Sequence, residues 1–320
     1  MSSPGVRPVG QVRQVLITGI EGFVGGHLCR HLAGAGYRVI GLHWAEVTTP
    51  LPAELIQGDV CNFAGLKAVM EQTRPDAIVH LAGVTAVAIS EAHPLATYQV
   101  NVLGTVNLLE AARQAVPNCR ILVISSADVY GRANIGKPLS EETPPQPVSP
   151  YALSKLMASE AGRFYHRAFG MDVVILRPFS HTGPGQAATF VFPSVAQRIV
   201  EIERGKAEPV IEMGNIEVRR DYTDVRDIVR AYELALERCQ KGETYNVTSG
   251  RPLMIKEGVE ILCNLARVKV TITSTAAKCR ERDIPLLTGD PTKFETATGW
   301  KPEIPIETTL ADLLEYYRNR

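Results

Sequence analysis

The sequence predicts an α/β protein: a doubly wound parallel sheet of the Rossmann type with a smaller, discontinuous C-terminal lobe. Three observations carry this. Apolar runs rich in β-branched residues recur along the first half, "QVLIT", "RVIGLH", "AIVHLAG", "RILVISS" and "DVVILRP". Segments of helical periodicity separate them. The runs are continuously apolar rather than alternating, so both faces of the sheet are covered and helices must lie above and below it.

The first run leads into "VLITGIEGFVGGHL", residues 15–28, where Gly19, Gly22 and Gly25 stand three apart between a strand and a helix. Glycine lets a chain turn sharply and approach an anion, and the free N–H groups of a helix start favour negative charge. In this context the spacing reads as a dinucleotide pyrophosphate turn, with Phe23 and Val24 against the cofactor. At the end of the second strand, where an acid would hold the adenosine ribose hydroxyls, the chain has "GLHWAE" with His43 and no Asp. That absence tilts the reading toward NADP(H) over NAD(H). "QGDV" follows a short strand and places Asp59 and Val60 at the adenine edge.

A helix is expected over 97–115, "TYQVNVLGTVNLLEAARQA". It is apolar on more than one face, with Val102, Val106 and Leu109 on one and Leu103 and Leu108 on others. Either it lies deep between layers or part of it meets a second subunit. The long helix expected over 151–169 also carries spare apolar residues, which favours a homodimer through these two helices. After Pro178 the rhythm changes. "HTGPGQAATFVFP" reads as a loop, "SVAQRIVEIERG" and "IKEGVEILCNLARV" as helices, "YNVTSG" as a strand with a turn, and 306–317 as a last helix. The nucleotide-binding domain is expected over 12–178 with returning segments within about 218–250. The rest of 179–320 is expected to form the second lobe, with a ligand cleft where that lobe faces the carboxyl ends of the strands.

Composition narrows the function classes. The 320 residues are 45% hydrophobic, enough for a full core, and 34 basic residues balance 34 acidic ones. A chain without net charge offers no long-range field for nucleic acid or an anionic membrane, so an anionic ligand must be met locally. Six cysteines contain no CxxC pair and sit mostly in apolar stretches, which points to buried thiols rather than zinc or bridges, and suits a reducing cytoplasm. No segment reaches the roughly 18 apolar residues of a membrane span. Residues 1–11 read as a loose tail.

The chemistry is expected downstream, in "ISSADVYG" (124–131) and "SPYALSK" (149–155). Tyr151 and Lys155 are four apart and share one face of a helix, one turn apart. A free tyrosine, with a pKa of about 10, is a poor acid or base at neutral pH. An ammonium one turn away is expected to lower it into useful range. Ser126, after its buried strand, can hydrogen-bond the same substrate oxygen. Ser126, Tyr151 and Lys155 are thus the expected catalytic set.

TGxxGxxG, "SSADVYG", YxxxK and "RPFSHTGPGQ" together resemble the extended short-chain dehydrogenase/reductases that act on nucleotide sugars, across nearly the whole chain. "GNIEVRRDYTDVRDIVRAY", "YNVTSG" and "TGWKPEIPIETTL" make the GDP-4-keto-6-deoxy-D-mannose reductases and GDP-mannose 4,6-dehydratases the most similar subgroup. The resemblance implies that Tyr151 and Lys155 also bind the nicotinamide ribose. It implies further that Leu81, Ala82, Gly83 and His181 line the cofactor and that Thr85 and Ser180 lie near the sugar. Arg220 and Arg280 are implied to pair with the substrate diphosphate, a task suited to guanidinium forks. Ser180 stands where an asparagine is frequent. Dehydratases place an acid one or two residues after the catalytic Ser or Thr; here those positions hold Ala127 and Asp128, and Asp128 is one methylene shorter than the glutamate of mannose-type enzymes.

The expected activity is reduction, by NADPH or NADH, of the C4 ketone of a 4-keto-6-deoxy nucleotide sugar. A dehydratase or 4-epimerase that retains its NAD(P) is the first rival, and would turn over without added reductant. A cofactor-sensing protein without catalysis is the second.

Overall fold

The computed structural model describes residues 13–133, 136–274 and 284–320; the tail read at 1–11 and Arg280 lie outside them. In chain order the strands are β1 (Gln14–Thr18), β2 (Arg38–His43), β3 (Glu54–Gln57), β4 (Ala77–His80), β5 (Arg120–Ile124), β6 (Val173–Pro178), β7 (Ser180–Thr182), β8 (Val210–Met213), β9 (Arg219–Asp224), β10 (Thr244–Val247), β11 (Pro252–Met254), β12 (Thr271–Ser274) and β13 (Leu286–Leu287). The helices are α1 (Phe23–Gly34), α2 (Phe63–Thr73), α3 (Val87–Ala92), α4 (Pro94–Tyr98), α5 (Gly104–Ala115), α6 (Pro150–Phe169), α7 (Val191–Glu203), α8 (Val225–Arg238), α9 (Ile255–Asn264), α10 (Thr292–Thr298) and α11 (Ile306–Arg318).

Seven strands pair in the order β10-β6-β5-β4-β1-β2-β3, all parallel. Strand β5 is buried at every position, which is why "ILVI" after Arg120 reads as an unbroken apolar run. Side chains alternate between two cores. Val15, Ile17, Leu122 and Val174 pack with Leu28 and Leu32 of α1 and Ile228 and Tyr232 of α8. Leu16, Ile78, Ile121 and Val173 pack with Met70 of α2, Leu108 and Leu109 of α5 and Tyr165 of α6. The chain runs from β1 outward to β3 and then returns to β4 on the other side of β1. The loops after β1 and β4 therefore diverge and leave a crevice at the sheet's carboxyl end.

The second lobe packs Phe192, Val195 and Ile199 of α7 against Val259 and Leu262 of α9 and Leu310, Leu313 and Leu314 of α11. A small sheet in which β9 pairs with β7, β11 and β13 lies beside this core. The loop expected after Pro178 thus begins with the short strand β7.

One expected helix differs in kind. The stretch 97–115 belongs to a longer helical run that starts at Pro94, contains a π-helical turn at Gln99–Leu103 and continues as α5. Inside the turn Asn101 is buried. Its Oδ1 accepts the Val84 N–H at 2.8 Å, and its Nδ2 donates to Val84 O at 3.0 Å and to Ser154 Oγ at 2.9 Å. An extra residue per turn thus lets one polar side chain pin the loop after β4 to helix α6. Leu108 and Leu109 are both buried, while Leu103 stays 57% exposed and Phe164 on α6 52% exposed.

Candidate active site

A cavity of about 850 Å³ opens at the crevice and is walled by both lobes. Its floor begins at the glycine turn. Gly19 has φ +70°, and a Cβ there would sit 2.8 Å from Ala82 N. A Cβ on Gly25 would collide with Gly19 O and sit 2.7 Å from Ile20 Cα. The two glycines let turn, helix and the loop after β4 meet at backbone contact. Helix α1 then starts at Phe23 with no side chain capping its first amides, which leaves that end suited to an anion.

Gly19, Gly22, Phe23, Val24, Asp59, Val60, Leu81, Ala82, Gly83, Thr85, Ser126, Asp128, Tyr151, Lys155, Ser180 and His181 all line this cavity. Asp59 also accepts the Cys61 N–H at 2.8 Å, so it shapes its own turn. A Cβ on Gly83 would come within 2.9 Å of Asn101 Oδ1, so a side chain there would crowd the buried amide, while Lys155 Nζ at 3.6 Å is in ordinary contact. His181 stacks on Phe23 with ring centroids 6.3 Å apart, and burial lowers its pKa. His43 is not among the lining residues. Its Nδ1–H donates to Ala45 O at 3.0 Å and closes the turn after β2.

Ser149 caps α6 by accepting the Ala152 N–H at 3.1 Å, and Tyr151 and Lys155 project from the first turns of that helix. The Ser126 hydroxyl lies close enough to the Tyr151 phenol to act on its pKa and, as the cap of the short turn Ala127–Tyr130, accepts the Asp128 N–H at 3.1 Å. Lys155 Nζ donates to Ile124 O at 2.9 Å at the end of β5. Burial lowers its pKa to about 8.

The expectation that the ammonium lowers the tyrosine is not met. Burial drives the phenol upward, the Asp128 charge adds to this, and the nearby Ser126 hydroxyl offsets only part; Lys155 faces a carbonyl instead. Tyr151 therefore rests as a neutral phenol, a proton donor. Burial likewise raises the Asp128 carboxyl, and the Arg220 charge pulls it back. Arg220 is not on the cavity wall. It leaves β9, donates to Ile284 O at 2.6 Å and exerts its charge on Asp128 and Tyr222.

Several residues that line or underlie the cavity escaped sequence reasoning. Tyr222 and Tyr232 line the cavity from β9 and α8, and "RRDYTD" alone gives no sign that Tyr222 points inward. His80 bridges Thr18 Oγ1 at 2.8 Å and Thr105 Oγ1 at 3.1 Å beneath the loop after β4, with burial lowering its pKa to about 3. Glu21, inside the glycine pattern itself, also lines the cavity and accepts the Trp44 N–H at 2.9 Å.

The chain matches the family model described as GDP-mannose 4,6 dehydratase over residues 16–313. It is 37% identical over 309 residues to the GDP-6-deoxy-D-mannose reductase of Pseudomonas aeruginosa, covering 96% of this chain and 98% of that one. A solved structure titled as RMD from Pseudomonas aeruginosa complexed with NADPH superposes with a TM-score of 0.85 at 35% identity, covering 96% of this chain and 99% of the other. The UDP-glucose 4-epimerase of Thermus thermophilus in complex with NAD gives the same TM-score of 0.85 at 26% identity, over 95% and 99% of the two chains. With its glycine turn, parallel sheet and Ser126, Tyr151 and Lys155 at one cavity, this chain belongs to the GDP-mannose 4,6-dehydratase family of extended short-chain dehydrogenase/reductases.

Proposed function

We propose that the chain uses a reduced nicotinamide dinucleotide to convert the C4 ketone of a 4-keto-6-deoxy nucleotide sugar to an alcohol, with GDP-4-keto-6-deoxy-D-mannose as substrate and GDP-D-rhamnose as product. The observation that carries this reading is the Ser126–Tyr151 pair: a buried phenol, held protonated, with a serine hydroxyl beside it in the cavity that contains the glycine turn. Reduction of a ketone starts by needing a proton donor at the oxygen, and a phenol raised by burial fills that need.

The residues present fit the dinucleotide. Gly19 and Gly25 form a cradle that any Cβ would fill, and the first amides of α1 are uncapped. Gly19, Gly22, Phe23 and Val24 would hold the pyrophosphate, Asp59 and Val60 the adenine end, and Leu81 to Gly83 with Lys155 the nicotinamide ribose. When bound, the reduced nicotinamide supplies the hydride for C4. Tyr151 gives its proton to the C4 oxygen, Ser126 holds that oxygen in line, and the Lys155 ammonium stabilises the phenolate left behind. Arg220, whose charge acts on Asp128 and Tyr222, would face the substrate diphosphate, and Thr85 and Ser180 would border the sugar.

The enzyme works as a homodimer on this reading. Leu103 in the π turn and Leu153, Met157 and Phe164 on α6 leave an apolar face that a second copy would cover.

The test supplies the keto sugar with each reduced cofactor and compares nicotinamide absorbance lost with alcohol formed. Equal molar amounts are expected. Tyr151→Phe is expected to lower kcat by roughly 10²–10⁴-fold with cofactor still bound; near-normal turnover by this variant would remove the phenol from the mechanism. A second reading has its own observation, since the Asp128 charge bears directly on Tyr151 and an acid there could serve dehydration. Product formed with no cofactor consumed would favour that dehydratase or an epimerase with retained NAD(P).

A further inference from the structure

At the adenosine end of the cavity the acid missing from the end of β2 arrives from elsewhere. Glu21 stands in the glycine turn, and its Oε1 accepts the Trp44 N–H at 2.9 Å and the Ala45 N–H at 3.3 Å, the first two amides beyond β2. Its Oε2 is buried and has no hydrogen-bond partner. A buried carboxylate oxygen without a donor is costly, and a donor such as a ribose hydroxyl would satisfy it. Among the described residues that line the cavity, the single lysine or arginine is Lys155, which is occupied with Ile124 O beside the tyrosine.

We infer that Glu21 selects the cofactor: its carboxylate receives the adenosine ribose hydroxyls and excludes a 2'-phosphate, so that this chain takes NADH in preference to NADPH. The inference rests on the dinucleotide reading of the cavity. Three features act together. A ribose 2'-phosphate carries a charge of about −1.5 to −2 near neutral pH, and it would meet the Glu21 carboxylate without a lining guanidinium to offset it. The Trp44 and Ala45 amides, the backbone donors that could hold such a phosphate, are already taken by Glu21. The unpaired Oε2 is an acceptor, which matches a hydroxyl donor and repels a phosphate oxygen. The strand end alone tilted toward NADP(H); Glu21, packed against that strand end, reverses the tilt.

Direct binding tests this without turnover. The fluorescence of NADH and of NADPH is titrated with the purified chain and with Glu21→Gln and Glu21→Ser, each variant checked for an unchanged melting transition. The wild-type protein is expected to bind NADH about tenfold or more tighter than NADPH, the equivalent of one charge-assisted hydrogen bond. Both variants are expected to bring the ratio to about one or below, by weakening NADH and strengthening NADPH. Wild-type affinity for NADPH equal to or above that for NADH would overturn the assignment, as would a ratio that neither variant moves. Binding of neither cofactor would instead overturn the dinucleotide reading itself.

Discussion

Tyr151 and Lys155 divide the acid chemistry through burial more than through each other. A lone buried lysine loses the water that stabilises its charge, so its pKa falls to about 8. The sign follows: below that value the ammonium is present, and above it the group is neutral. Activity that depends on this charge is expected to decline as pH rises through about 8, and Lys155→Met should remove that alkaline limb while lowering kcat/KM at neutral pH by roughly a hundredfold or more. A rate–pH profile of both proteins checks this, and a limb retained in the variant would assign it to another group. The spacing of Tyr151 and Lys155 was legible from the helical period. Their pKa directions were not, because these depend first on burial and, for Tyr151, also on Asp128 and Ser126, which the fold brings in from the turn after β5.

Helix α1 shows how one element serves stability and binding with the same glycines. At Gly25 a methyl group would meet the backbone of Gly19 and Ile20, which cannot yield as a flexible side chain would. Gly25→Ala is therefore expected to cost about 1–3 kcal/mol and to abolish cofactor binding by displacing the turn. Gly34, at the other end of the same helix, has nothing within 4 Å of such a methyl, so Gly34→Ala is expected to be neutral or slightly stabilising. Thermal melts with cofactor titration separate the two; equal behaviour would mean that the turn is more adaptable than its contacts indicate. The existence of this helix was readable from strand, glycines and apolar period. The π turn at Gln99–Leu103 was not, since a helical pattern does not register one inserted residue, and only the buried Asn101 network accounts for it.

At the scale of the whole molecule, the two lobes are tied near the site, where His27 on α1 meets Pro184 O at 2.8 Å, and within the second lobe Tyr317 on α11 donates to Gln186 O at 2.8 Å. The cavity is thus a property of both lobes. Outside it, the face carrying Leu103, Leu153, Met157 and Phe164 lies on the far side of the sheet layer from α1 and α8. Light scattering after size exclusion is expected to give twice the chain mass. A Met157→Glu, Phe164→Glu double variant should run as a monomer that still binds cofactor. A wild-type monomer at micromolar concentration would discount the dimer. The helix pair behind this prediction was visible in the sequence as surplus apolar positions.

The sequence by itself determined what depends on local period and spacing: which runs are strands, where the glycine turn lies, and that Tyr151 and Lys155 share a helix face. Only the tertiary structure decided what depends on residues far apart in the chain. It placed Glu21 against the amides after β2, set Asp128 and Arg220 to act on the site in opposite senses, and turned Tyr222 and Tyr232 into the cavity. The physical reason is that backbone geometry repeats over a few residues, whereas burial and electrostatic environment are set by whichever elements the fold packs together.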